Sequence, residues 1–344
     1  MHRPPCIPHQ EQARPANHGL YFVRVLKVSP EASWQLAEGE NWGGGPACYT
    51  PSCIAQGAEV VDIESVAVIG AGTMGSGIAH VFARSGFQVL LCDVEQRFLD
   101  RALGQIRTNL GREAAKGRLD AAEVEPVLAR ITATVDREAL AQAEFAIEAA
   151  PERLELKAEI FRALDRILPE SAILASNTSS ISITRLGALT SRPGQVIGMH
   201  FFNPVPVMAL VEVVRGLATS DATRATVREL SVLLGKTPVE LNDAPGFVSN
   251  RVLMPLINEA AFAVMEGVAT PEAIDQVFKL GMAHPMGPLT LADLIGLDVC
   301  VDILRVLQDG FGDPKYRPCP LLVRMVDAGW LGRKAGRGFF TYEK

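Results

Sequence analysis

The chain lacks the features that would assign it to a membrane or to nucleic acid. No apolar run among its 344 residues reaches the roughly 18 to 20 residues that a membrane-spanning helix needs. Positive charge is not in excess: the formal net charge is −6, which disfavours nucleic acid as the main partner. The first residues also lack the basic start and the long apolar stretch of a secretory signal. We therefore expect a cytoplasmic protein with neither a membrane nor nucleic acid as a partner.

Cysteine is sparse, and its spacing does not suit a metal. Among the six cysteines, Cys48 and Cys53 have four residues between them, with no second pair of cysteines or histidines nearby to complete a zinc site. Scattered cysteines in a chain without a secretory signal are typical of reduced thiols. We therefore predict no metal site.

Length and residue pattern divide the chain into three parts. Because 344 residues exceed one ordinary hydrophobic core, two domains are expected. Residues 1–62 hold many of the prolines and, apart from a strand-like alternation over 20–28 without an obvious partner, show no regular pattern, so we interpret them as a poorly ordered extension. Residues 63–243 alternate strands with helices, which is typical of a doubly wound, mainly parallel α/β sheet of the Rossmann type. Residues 244–344 show only helical spacing and predict a smaller all-helical domain.

Short apolar runs and 3.6-residue spacing predict the individual elements. Glycine and proline at their ends mark several of the boundaries. The predicted strands are 65–69, 87–92, 145–149, 172–175, 195–199 and 210–214, and the predicted helices include 73–85, 152–168, 221–234, 247–266, 271–280, 289–307 and 320–328.

A G-x-G-x-x-G motif at 70–75 lies between the first predicted strand and a predicted helix. Glycines at such a turn let backbone N–H groups approach a pyrophosphate at the positive end of the helix. Asp93 ends the next strand, where a carboxylate would bind the ribose hydroxyls of NAD and repel the extra phosphate of NADP; Arg97 would soften that preference. The motif alone would also fit a glycine-rich turn without a ligand, but its context predicts an NAD site. The motif residues expected at the cofactor are Gly70, Gly72, Thr73, Met74 and Gly75.

His200 and Glu212 are the candidates for acid–base chemistry. Oxidation of an alcohol needs a base, and His200 follows a predicted strand at the edge where open α/β sheets bind ligands. Glu212 stands alone in the apolar run 210–214, where an unpaired carboxylate is unfavourable. A pair with His200 would satisfy it and would orient the imidazole, although a carboxylate satisfied elsewhere in the core would fit equally well at this point. His80, in a predicted helix, and His284, in a predicted loop, suit the role less.

Other polar residues are predicted near His200. The run Ser-Asn-Thr-Ser-Ser at 176–180 follows a predicted strand, and Asn203 follows His200 in a proline-flanked turn. Asn250 starts the helical part, from which it could close the site. Such groups can polarise the oxygen from whose carbon a hydride departs.

Four sequence blocks resemble the 3-hydroxyacyl-CoA dehydrogenase family in order and spacing. The likeness covers the chain from about residue 65 to its last residue, and it is greatest to stand-alone bacterial 3-hydroxybutyryl-CoA dehydrogenases, since no hydratase domain is attached. The blocks are Ser-Asn-Thr-Ser-Ser at 176–180, His-Phe-Phe-Asn-Pro-Val-Pro at 200–206, Pro-Gly-Phe-Val-Ser-Asn-Arg at 245–251 and Pro-Met-Gly-Pro at 285–288.

The resemblance implies an NAD-dependent enzyme that interconverts (3S)-3-hydroxyacyl-CoA and 3-oxoacyl-CoA, needs no metal, and forms a homodimer through its helical domain. It implies His200 as the base, Glu212 as the partner of His200, and Ser179 and Asn250 as ligands of the substrate oxygen. The residues that it places near NAD are Glu152, Lys157, Ser179, Asn203 and Lys334, and those that it places on coenzyme A are Lys116 and Asn109.

Two alternatives stay open on the sequence. A gulonate-type or other hydroxyacid dehydrogenase would share this plan but act on a free carboxylate in place of a thioester; relatives that rely on a catalytic lysine fit His200 and Glu212 less well. A catalytically silent NAD-binding regulator is the other alternative. Such a protein would be expected to have lost one of Ser179, His200, Glu212 or Asn250, and all four are present.

Overall fold

The computed structural model describes residues 25–27, 59–61 and 63–343. The first two segments are short strands, β1 (Val25–Lys27) and β2 (Glu59–Val61), which pair antiparallel. The strand-like alternation predicted over 20–28 therefore has a partner, which lies more than thirty residues along the chain and could not be found from local pattern. The predicted disorder of the rest of the N-terminal extension lies outside the described residues.

An eight-stranded sheet forms the centre of the first domain. Its strands are β3 (Ser65–Ile69), β4 (Gln88–Cys92), β5 (Ile131–Thr134), β6 (Phe145–Glu148), β7 (Ile173–Ser176), β8 (Val196–Phe201), β9 (Leu210–Arg215) and β10 (Thr237–Asn242). They lie in the order β10-β9-β8-β7-β6-β3-β4-β5, and all neighbours are parallel except β8 and β9. The predicted doubly wound, mainly parallel fold is confirmed.

Helices cover both faces of this sheet, which explains why its central strands are continuous apolar runs. Every residue of β6, β7 and β8 is buried. The helices of this domain are α1 (Thr73–Arg84), α2 (Gln96–Ala115), α3 (Val124–Ala129), α4 (Leu154–Ile167), α5 (Ile183–Gly187) and α6 (Asp221–Leu233), and β1 lies against α6.

The chain after Asn242 is helical, as predicted. Its helices are α7 (Ser249–Met265), α8 (Pro271–Gly281), α9 (Pro288–Ile295), α10 (Leu297–Phe311) and α11 (Pro320–Asp327). They surround a separate apolar core that includes Met254, Ile257 and Leu304. Thr270 caps α8 by accepting a hydrogen bond from the Ala273 N–H, with proline at the first helical position.

Two strands were missed, and one helix was predicted too long. The strands β5 and β10 were not expected, because both are edge strands without a continuous apolar run; β5 has one exposed residue and β10 has four. The single helix predicted over 289–307 is two helices, since Gly296 has φ +109°, a conformation that ends α9. No helix in the described part of the chain is both long and apolar enough to cross a membrane.

Candidate active site

The glycine motif turns the chain from β3 into α1. Gly70 has φ +103°, and a Cβ there would lie 2.7 Å from the Ala149 carbonyl oxygen; a Cβ on Gly75 would collide with the Gly70 carbonyl. A Cβ on Gly72 would meet no atom within 4 Å, so the outer side of the turn is open. Gly72 precedes α1 and offers no side chain to cap it, which leaves N–H groups of the first helical turn free for an anion.

Asp93 follows β4 beside this turn. Its Oδ2 accepts a hydrogen bond of 2.6 Å from the Ala71 N–H, and its Oδ1 accepts one of 2.7 Å from the Val94 N–H. The carboxylate is thus fixed against the loop, and each oxygen keeps a second lone pair for a ribose hydroxyl. Arg97, the cation expected to soften the preference for NAD, lies 2.8 Å from the Glu95 carboxylate. The open turn, the uncapped helix and the fixed carboxylate fit NAD.

Strands β8 and β9 place His200 directly opposite Glu212. The antiparallel register makes the two residues cross-strand partners, and His200 Nδ1 lies 2.8 Å from Glu212 Oε2. Glu212 is 3% exposed, so its charge is met inside the protein. The contact predicted from the lone carboxylate is therefore present in the structure. A carboxylate on Nδ1 leaves Nε2 as the nitrogen that can exchange a proton with a ligand.

Glu212 has a second partner, Ser249, at the start of α7. The Ser249 N–H donates to Oε1 and the Ser249 hydroxyl donates to Oε2, both at 3.0 Å. Burial raises the pKa of the Glu212 carboxyl, but the hydrogen bonds from His200 and Ser249 outweigh it and hold the pKa below its usual value. Ser249 was not singled out from the sequence, because its partner is 37 residues away on another element.

The loop after β7 carries Ser179 towards the helical part. The Asn250 amide donates to the Ser179 carbonyl oxygen at 3.2 Å, so these two predicted oxygen ligands are neighbours. Asn177 Oδ1 accepts from the Phe201 N–H at 2.9 Å and ties the same loop to the end of β8, one residue beyond His200. The Ser179 loop therefore links Asn250 of α7 to the end of β8, where His200 lies.

Glu152 organises the Ser179 loop. Its Oε1 accepts hydrogen bonds from the Ser179 and Ser180 N–H groups at 3.0 and 3.1 Å and from the Thr178 hydroxyl. Burial raises the pKa of Glu152, but the Lys157 ammonium and the hydrogen bonds from Thr178 and Ser180 outweigh it and lower the pKa. Lys157 is 1% exposed, so any influence on a cofactor would pass through Glu152.

Glu148 is the partner of Lys157 that sequence reasoning missed. It ends β6, is fully buried, and lies 2.6 Å from Lys157 Nζ. The Ser176 hydroxyl donates to its other oxygen at 2.7 Å. The sequence did indicate Glu148. A lone carboxylate at the end of an apolar run needs a partner, and the same argument identified Glu212.

A cleft of about 460 Å³ lies between the start of α1, the helix α2 and the turn 203–206. Asn203 and Asn109 line it, and so do Arg101 and Gln105, which were not predicted. Lys116, the predicted cation for coenzyme A, lies at the end of α2, is exposed, and is not among the lining residues. His200 does not line the cleft either, but it precedes the turn by three residues.

Lys334, another residue predicted near the cofactor, forms an ion pair within the helical part. Its ammonium lies 2.6 Å from the Asp298 carboxylate in the helical part. Neither of the other described histidines, His80 and His284, lines the cleft. His80 is fully buried in α1, where burial and the nearby Arg84 and Lys236 charges lower its pKa to about 4, and His284 is exposed in a loop.

Both parts of the chain match the profiles of one protein family. The profile of the 3-hydroxyacyl-CoA dehydrogenase NAD-binding domain matches residues 65–244, which makes the chain an NAD-dependent oxidoreductase with a Rossmann-type domain. The profile of the 3-hydroxyacyl-CoA dehydrogenase C-terminal domain matches residues 246–342. The chain therefore belongs to the 3-hydroxyacyl-CoA dehydrogenase family, and the resemblance carried by the four sequence blocks is confirmed.

Individual relatives agree with this assignment. The probable 3-hydroxybutyryl-CoA dehydrogenase of Bacillus subtilis (strain 168) is 56% identical over 284 residues, which cover 83% of this chain and 99% of that one. The 3-hydroxybutyryl-CoA dehydrogenase of Bradyrhizobium diazoefficiens is 51% identical over 280 residues, covering 81% and 96%. The crystal structure of (S)-3-hydroxybutyryl-CoA dehydrogenase from Ralstonia eutropha, 50% identical, has a TM-score of 0.80 and matches 82% of this chain and 100% of that one.

Proposed function

We propose that the chain interconverts (3S)-3-hydroxyacyl-CoA, of short chain such as 3-hydroxybutyryl-CoA, and the corresponding 3-oxoacyl-CoA. His200 acts as the general base in oxidation and the general acid in reduction, and Glu212 is its partner. The observation that carries the proposal is the 2.8 Å contact between His200 Nδ1 and the buried Glu212, at the edge of the sheet from which the NAD turn also projects. NAD, when bound, accepts the hydride from carbon 3 of the alcohol.

The chain's own residues divide the remaining work. His200 Nε2 takes the hydroxyl proton, and the Glu212 carboxylate stabilises the imidazolium that forms. Ser179 and Asn250, which the Ser179 carbonyl links at 3.2 Å, polarise the substrate oxygen as it becomes a carbonyl. Glu152 holds the Ser179 loop in place through backbone hydrogen bonds and so acts on position, not on the reacting atoms.

The cleft beside α2 suits the coenzyme A portion. Arg101 lines it and can meet a phosphate with a planar, permanently charged group. Asn109 and Gln105 lie beside Arg101 and offer amide hydrogen bonds. Lys116 was the cation implied by family resemblance, and it would contact only a part of the ligand that extends beyond the cleft. Binding energy gained here can position the reacting carbon against His200.

Reduction of acetoacetyl-CoA tests the proposal directly. Loss of NADH absorbance should be fast with acetoacetyl-CoA, whereas free acetoacetate should be far poorer in both kcat and KM, since it lacks the handle that binds the cleft. Equal efficiency with acetoacetate or with a sugar acid would replace the acyl-CoA proposal by the gulonate-type alternative.

Two cation variants locate the coenzyme A site. Arg101→Ala should raise KM for acetoacetyl-CoA more than Lys116→Ala does, and the loss should be greater at low salt, because part of the lost interaction is a screened charge. KM for NADH is the control and should stay within about twofold in both variants. A larger effect of Lys116→Ala would move the phosphate contact out of the cleft.

We also propose a homodimer formed by the helical part. Val277 and Leu280 on α8 are exposed by 57% and 76%, although they are apolar. Much of α7 is used inside the helical part, since Met254 and Ile257 are buried in its core. Light scattering of the wild type and of Leu280→Lys tests this: the wild type should have twice the mass of one chain, and the variant should dissociate.

A further inference from the structure

Ser249 connects the helical part to the acid–base pair. It is the first residue of α7, and it uses both its backbone N–H and its hydroxyl on one carboxylate, that of Glu212 in β9. The two hydrogen bonds are 3.0 Å long and reach different oxygens. Glu212 is therefore held between His200, on the neighbouring strand, and a helix of the other domain.

The hydroxyl of Ser249 and the imidazole of His200 share one oxygen. Both groups lie within hydrogen-bonding distance of Glu212 Oε2, at 3.0 and 2.8 Å, while the Ser249 N–H occupies Oε1 alone. A donor on a carboxylate oxygen stabilises the negative charge there and leaves less of it for another donor on the same atom. The Ser249 hydroxyl thus competes with the imidazolium for the charge of Oε2.

We infer that the Ser249 hydroxyl is a positioning residue that sets the pH range over which the His200–Glu212 pair exchanges a proton. The inference rests on the proposed function, because it assigns Ser249 to the same site. It acts through Glu212 and does not touch the reacting atoms.

The environment of the pair supports an effect of charge more than one of shape. Phe202 and Phe247 face the imidazole, with ring centroids 4.7 and 6.0 Å away, and neither carries a charge. His200 is the titratable group that acts on the Glu212 carboxyl, and Ser249 supplies the remaining hydrogen bonds. Without the hydroxyl, His200 and the Ser249 N–H still hold one oxygen each, so the carboxylate keeps its place. The main change is that Oε2 interacts more strongly with the protonated imidazole.

Two isosteric variants separate the hydroxyl from its bulk. Ser249→Thr keeps the hydroxyl and adds a methyl group, whereas Ser249→Val has nearly the shape of threonine and no hydroxyl. The measurement is kcat/KM for oxidation of (3S)-3-hydroxybutyryl-CoA as a function of pH. We expect the midpoint of the Thr variant to match the wild type and that of the Val variant to lie about half a pH unit higher, the effect of losing part of one hydrogen bond to a charged group. KM for NAD should be unchanged.

Two outcomes would overturn the inference. Coincident profiles for all three proteins would show that the hydroxyl does not act on the pair, and equal shifts in the Thr and Val variants would assign the effect to the added methyl group. If the Val variant melts well below the wild type, Ser249→Ala, which adds no bulk, repeats the comparison. Failure of the wild type to oxidise the thioester would reject the proposed function itself, before any variant is compared.

Discussion

Glu212 and Glu148 are both carboxylates buried in apolar strands of the same sheet, yet their partners differ. Glu212 faces His200, whose Nδ1 lies 2.8 Å from Glu212 Oε2, and an imidazole is the side chain most often used as a general acid or base. Glu148 faces Lys157, which is also buried and whose Nζ lies 2.6 Å from Glu148 Oε1, and Glu148 accepts a further hydrogen bond from Ser176. Under the proposed function, a buried carboxylate therefore takes part in acid–base chemistry at one place and stabilises the fold at the other.

The surroundings of the two pairs differ in the same sense. His200 retains a small exposed fraction, 8%, and its strand ends at the open edge of the sheet. Lys157 is 1% exposed. It forms an ion pair with Glu152, and Glu152 in turn accepts a hydrogen bond from the Ser179 loop. Substitutions in the His200–Glu212 pair should therefore affect mainly catalysis, and substitutions in the Lys157–Glu148 pair should affect mainly stability.

Removal of the imidazole should have the largest effect. His200→Ala should lower kcat by about 10² to 10⁴, the usual contribution of a general base, with NAD affinity nearly unchanged. Steady-state kinetics and NADH titration measure the two quantities. The matched control is His284→Ala, an exposed loop histidine that should leave both unaltered. Near-normal turnover of His200→Ala would remove His200 from the mechanism.

Neutralising Glu212, the partner of His200, should have the second-largest effect on catalysis. In Glu212→Gln the imidazole stays in place, but the imidazolium loses its counter-charge, and the amide can stabilise the wrong tautomer. We expect kcat to fall by about 10², with little change in the midpoint of chemical denaturation. A variant that lost stability and kept kcat would make Glu212 a structural residue and would erase the contrast with Glu148.

The second pair should respond in the opposite way. Lys157→Met leaves the Glu148 carboxylate buried without its counter-charge, which should lower the free energy of unfolding by about 3–5 kcal/mol. Urea denaturation followed by circular dichroism measures this loss. The double variant Glu148→Gln/Lys157→Met should recover part of it, because the uncompensated charge is gone. Equal stability of Lys157→Met and wild type would contradict the assignment of this pair to architecture.

Truncation before Asp62 should have the smallest effect. The strands β1 and β2 pair with each other, and β1 lies against α6, which contains none of the four residues of the two carboxylate pairs. A protein that starts near Asp62 should therefore keep its kcat and most of its melting temperature. A large loss of either would show that the N-terminal part is an integral part of the enzyme.

Much of the fold followed from local pattern. The strand β3, the glycine turn and α1 were predicted because apolar runs, glycines and helical spacing are properties of neighbouring residues. The edge strands β5 and β10 were missed because local pattern does not reveal them. They are partly exposed, and pairing with their neighbours in the sheet makes them strands.

The site was predictable where one residue was out of place in its own segment. Glu212 in an apolar run required a partner, and His200 was the suitable one. The structure supplied the reason for their contact, an antiparallel pairing of β8 and β9 within an otherwise parallel sheet. For Lys116 and Arg101 the outcome was different: Arg101 lies in α2 and lines the cleft, whereas Lys116 follows the last residue of α2 and does not.

The sequence by itself determined the class of fold, the cofactor and the family, since each is carried by short motifs whose residues act together within a few positions of one another. Only the folded structure showed that Ser249 holds Glu212 and that Arg101 lines the cleft beside the turn 203–206. The physical reason is the range of these contacts. A hydrogen bond between Ser249 and Glu212 spans 37 residues, and no local periodicity records which helix will pack on which strand.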